Sequence, residues 1–88
     1  MDKLQIRNIR MYNEHWYAIK FAGAPVHFTA MTQHLKSYGH QAAYWREGEF
    51  GGSGAWIVRK DILERHGDGF ENFESRANIA RETYERKA

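Results

Sequence analysis

Leu4 and Ile6 stand on one parity and Ile9 and Met11 on the other, so Lys3 to Tyr12 reads as a strand whose buried face switches near Arg7–Asn8. One extra residue in a strand makes that switch, which predicts a bulge. Asn13–Glu14 reads as a turn into a second strand, His15 to Phe21, with Tyr17, Ile19 and Phe21 on one face and Trp16, Ala18 and Lys20 on the other. Gly23-Ala24-Pro25 ends that strand, because proline cannot donate to a ladder, and a short extension over Val26 to Phe28 is expected after it. Thr29 is placed to cap a helix running to about Tyr38, with Met31, Leu35 and Tyr38 on one stripe and Gly39 at the left-handed terminating position. Two apolar runs, Ala42–Trp45 and Ala55–Val58, flank a glycine-rich stretch and predict a hairpin with a long loop. Asp61 can cap a short helix over Ile62 to His66, Asp68-Gly69 turns, and Phe73, Ala77, Ala80 and Tyr84 mark one face of a last helix from about Phe70 to Arg86.

The order strand-strand-helix-strand-strand-helix-helix predicts one α+β domain over residues 1–88, a mostly antiparallel four-stranded sheet with helices packed on one face. The expected core is Leu4, Ile6, Tyr17, Ile19, Phe21, Met31, Leu35, Tyr44, Ile57, Leu63, Phe73, Ala77 and Tyr84. Composition agrees with a folded chain, since 15% of the 88 residues are aromatic. With no cysteine, disulfides, thiolate metal sites and cysteine nucleophiles are excluded, and a reducing, cytoplasmic setting is expected. No apolar run reaches the ~20 residues of a membrane-spanning helix, and MDKLQIRNIR is too charged for a signal peptide, so no membrane partner is expected.

Charge changes the picture through its distribution. Residues 1–46 carry Lys3, Arg7, Arg10, Lys20, Lys36 and Arg46 against Asp2 and Glu14, whereas residues 47–88 carry more acids than bases. His27, His34 and His40 are spaced by seven and six, which matches no common zinc pattern, and solvated or edge histidines are expected with no metal and no cofactor. The loop Gly48 to Gly54 contains no Lys and opens onto a strand, so it is not a phosphate cradle. Glu47 and Glu49 read as two solvated charges beside it. The stretch HWYAIKFAGAPVHFT has the cadence of the GIY-YIG nuclease hairpin. Its second strand lacks that family's tyrosines and glycine, and the following helix offers Lys36 where the family has arginine, so no kinship is drawn.

No nucleophile–base, metal or phosphate constellation survives this reading, so no enzymatic activity is expected. Aromatics beside arginine, as in Tyr44-Trp45-Arg46 and Trp56 to Lys60, suit either a protein hot spot or a single-stranded nucleic acid. A net charge of +2 is small for phosphate binding, which favours a protein partner. The expectation is a small interaction module, an inhibitor or adaptor of the size class that mobile genetic elements encode. It would engage an acidic surface of a protein or ribonucleoprotein through Lys3, Arg7, Arg10, Lys20, Lys36 and Arg46. A nucleic-acid-binding regulator is the alternative. None of Arg7, Arg10 and Lys20 is expected in the core, so reversing their charge should spare the fold. Small residues on the last helix leave room for a homodimer seam.

Overall fold

The computed structural model describes residues 3–23 and 25–87. Five strands form one sheet in the order β3-β4-β2-β1-β5. β1 (Leu4–Asn13) and β2 (Trp16–Ala22) make the first hairpin, and β3 (Ala43–Gly48) and β4 (Ser53–Arg59) make the second. Antiparallel pairing of β2 with β4 joins the two hairpins. The expected phase switch is present as a register shift between Ile6 and Asn8, and a second shift between Met11 and Asn13 sets Tyr12 outside the pairing. Pairing puts Ile9, Ile19, Trp56 and Trp45 on one face, and Arg10, Ala18, Ile57 and Tyr44 on the other.

Helices cover the first of these faces. α1 (Pro25–Ser37) contributes Leu35, α3 (Lys60–Arg65) contributes Ile62 and Leu63, and α4 (Phe73–Lys87) contributes Ala77 to a cluster with Leu4, Ile6, Tyr17, Ile19, Trp56 and Val58. The α+β class, the mostly antiparallel sheet and the one-sided helix layer agree with the pattern of apolar positions. Ile57 is buried on the opposite face, where Trp16 and Tyr44 lie 5.6 Å apart on neighbouring positions.

Three local expectations are corrected. Val26 to Phe28 is the first turn of α1, because Pro25 opens the helix where its missing N–H costs nothing, and Thr29 is therefore internal. The last helix starts at Phe73, since Phe70–Glu71 form a fifth strand, β5, parallel to β1, and Asn72 turns the chain in the left-handed region (φ 61°). Of the expected core, Phe21, Met31, Tyr44, Phe73 and Tyr84 are half-buried, whereas Trp56, Val58, Ile62 and Phe70, not expected there, are buried. Gly39 ends α1 at φ 80°, as its position suggested.

Candidate functional site: an aromatic fork with two cations

Pairing between β2 and β4 runs from Trp16–Arg59 to Ile19–Trp56 and stops there. Beyond that point β2 stays paired to β1 through Ala22, while β4 begins at Ser53, and the two strands border a fork. A pocket of about 310 Å³ lies in it, lined by Arg7, Lys20, Phe21, Phe28, Trp45 and Gly54 over Ile19 and Trp56. The aromatic walls are built in perpendicular pairs: Trp45 against Trp56 at 6.0 Å and Phe21 against Phe28 at 6.0 Å. Phe21 also stacks on Phe70 at 5.5 Å, which ties the pocket floor to the core.

Trp45 is 48% exposed and Phe28 37% exposed, unusual values for rings of this size that meet at one place. Gly54 explains the pose of Trp45. A Cβ on Gly54 would lie 2.1 Å from Trp45 Cζ2, so the indole lies where only a glycine leaves room. Trp45 Nε1 donates to Glu47 Oε1 at 2.9 Å, which fixes the ring's azimuth while leaving one flank open to water. Lys36 reaches the far flank, where it lines a neighbouring hollow with His40, Tyr44 and Trp45.

The six candidate cations do not share one field. Arg7, carried outward at the bulge, and Lys20 on β2 meet at the fork, and neither makes an ion pair among the described residues. Arg10 and Arg46 instead converge on Glu49, with Arg46 Nε donating to Glu49 Oε1 at 3.0 Å and Arg10 Nη2 donating to Oε2. Glu49 is buried and not a solvated charge: the short turn α2 (Glu49–Gly52) folds its carboxylate onto the helix-free face. Arg10 is exposed, outside the core as expected, yet its ion pair with buried Glu49 makes it part of the scaffold. Lys3 stands at the other end of β1, beside Phe70 and Phe73.

The helix-free face carries aromatics and arginines too, but there the arginines are matched. Arg46 lies over the Tyr12 ring at 5.5 Å, Arg10 over Phe50 at 5.0 Å, and Arg59 Nε donates to Asp61 Oδ1 at 2.7 Å. That hydrogen bond from Arg59 holds the Asp61 carboxyl below its ordinary range. Burial, with Tyr12 close by, pushes the Tyr44 phenol up. A wider cleft of about 760 Å³ lies between β5 and α4, but Glu64, Asp68, Asn72, Glu74 and Ser75 make it polar and it holds no exposed aromatic anchor.

His34 and His66, far apart in the chain, come together beside Tyr38, which spacing alone did not indicate. No group of three or more His, Asp and Glu side chains comes together among the described residues. Nor is any helix among them long and apolar enough to cross a membrane. Comparison with family models, with characterised proteins and with solved structures gives no match.

Proposed function

We propose that the protein is a non-catalytic interaction module whose fork pocket seats an apolar or aromatic side chain of an acidic protein segment. The observation that carries this reading is the convergence of exposed Trp45 and Phe28 with Arg7 and Lys20, two cations without carboxylate partners among the described residues. Aromatic side chains at a desolvated centre with cations at the rim are what a binding hot spot requires. The rings supply the burial energy, and Arg7 and Lys20 select acidic neighbours and speed encounter. In this reading the site has no chemistry of its own. The cysteine-free composition fits a reducing, cytoplasmic setting, and we place the module there.

Single-stranded nucleic acid fits less well. The arginines of the helix-free face are committed to Glu49 and Asp61, so the aromatics of that face lack free arginines beside them to neutralise successive phosphates. The test is selection from a displayed random dodecapeptide library, run beside a labelled dT12 oligonucleotide. Enrichment of peptides with an aromatic or aliphatic anchor flanked by Asp or Glu, lost on Trp45→Ala, supports the reading. Binding of dT12 at 50 mM salt that weakens by orders of magnitude at 200 mM, with no peptide enriched, overturns it.

A further inference from the structure

We propose that His34, His66 and Tyr38 form a binding site for a borderline divalent cation of the Zn2+ class. His34 lies in the last turn of α1, Tyr38 follows that helix, and His66 follows the last residue of α3. The two imidazoles stand perpendicular with centroids 4.7 Å apart. Their Nε2 atoms both face Tyr38 Oη, at 3.3 Å from His34 and 3.4 Å from His66.

Those separations are long for a hydroxyl–imidazole hydrogen bond, which is best below about 3 Å. The hydroxyl can bridge the two rings by donating to one nitrogen and accepting from the N–H of the other, but only at these stretched distances. The distances suit a different task. Donors bound tetrahedrally at about 2.1 Å from a metal lie roughly 3.4 Å from one another. Each imidazole nitrogen therefore stands from the phenol oxygen at the separation of two corners of such a site, and solvent would complete the donor set. Imidazole donors favour Zn2+, Ni2+ and Cu2+ over Mg2+ or Ca2+.

Two further features act in the same direction. The C-terminal end of α1, a helix of 13 residues, presents its negative dipole end near His34 and Tyr38. His66 is half-buried and packed against the His34 ring, so a ligand there meets an imidazole already held in place. Arg65 opposes a cation, and with only two imidazoles the affinity is expected in the micromolar range. His34 and His66 are 32 positions apart, so no ligand spacing in the sequence announces the pair.

Calorimetric titration of the untagged protein with ZnCl2, followed by histidine-selective NMR, tests the site independently of any protein partner. The expected result is one Zn2+ per chain, with the Nε2 resonances of His34 and His66 shifting and those of His15, His27 and His40 unmoved. His34→Ala, at an exposed position, and His66→Gln should each weaken binding tenfold or more, Tyr38→Phe severalfold, and MgCl2 should give no heat. Absence of stoichiometric Zn2+ binding overturns the proposal. So does binding that survives both histidine substitutions in variants whose circular dichroism shows them folded.

Discussion

Replacing Glu49 by alanine is expected to cost about 2 kcal/mol of stability, although the residue lies in a glycine-rich turn that reads as a loop tip. Its buried carboxylate receives two charge-assisted hydrogen bonds, one from Arg10 on β1 and one from Arg46 on β3. Such bonds contribute roughly 1.5–3 kcal/mol each when both partners are desolvated. Here the arginine side chains remain about half exposed, at 54% and 50%, so water recovers part of their solvation and each bond is discounted. A fully buried pair broken on one side would lose about 3–5 kcal/mol, which sets the upper limit. For a domain of this size about 2 kcal/mol lowers Tm by roughly 8–16 °C. Urea unfolding followed by circular dichroism measures the loss, and an unchanged m-value would confirm that the fold is retained. Double-mutant cycles of Glu49→Ala with Arg10→Ala and with Arg46→Ala should each return a coupling of about 1 kcal/mol. A Glu49→Ala protein within about 0.5 kcal/mol of the parent, or couplings near zero, would refute the clamp. The clamp also holds Phe50 in the left-handed region (φ 53°, ψ 50°), a conformation that costs a bulky residue about 1–2 kcal/mol.

Three more outcomes follow from the same geometry. Gly54→Ala should expel the Trp45 indole from its seat, shift its Nε1–H resonance by NMR and weaken any fork ligand at least tenfold, while changing stability by less than about 1 kcal/mol because the indole is half exposed already. The Tyr17 phenol is raised above its ordinary 10 chiefly by burial, so its neutral form contributes stability that is complete below about pH 10 and lost as pH rises toward the folded-state value. Thermal melts from pH 8.5 to 11 should show that decline, and Tyr17→Phe should flatten it while costing about 1 kcal/mol at neutral pH through loss of the Arg81 hydrogen bond. The Arg7→Glu/Lys20→Glu variant should fold normally and associate about tenfold more slowly with a fork ligand, whereas adding Arg10→Glu should lower Tm by setting an acid against Glu49 in place of its partner.

Much of the framework was legible because it rests on local chemistry. Alternation placed β1 and β2, the parity switch located the bulge at Arg7, and Gly39 marked the end of α1. What escaped was set by distant partners. Phe70 and Glu71 read as the start of a helix because nothing local announces that β1 will pair with them in parallel. Glu49 read as solvent-facing because its two arginines come from positions 10 and 46. The same holds for the candidate site. Arg7 and Lys20 were picked out as cations, but their union with Phe28 and Trp45 depends on where the β2–β4 ladder ends. One clue was local: a glycine in a strand, two residues before Trp56, signals close approach of a large neighbour, here Trp45.

Mapping a library-selected acidic peptide onto the labelled protein by NMR bears most directly on the central claim. The account predicts that the largest shifts fall on Arg7, Lys20, Phe28 and the Trp45 indole, and that Trp45→Ala weakens the complex at least tenfold. It also predicts that raising salt from 50 to 200 mM slows association more than it speeds dissociation. Shifts centred on the helix-free face around Trp16 and Tyr44, with the fork silent and Trp45→Ala binding as tightly as the parent, would contradict it.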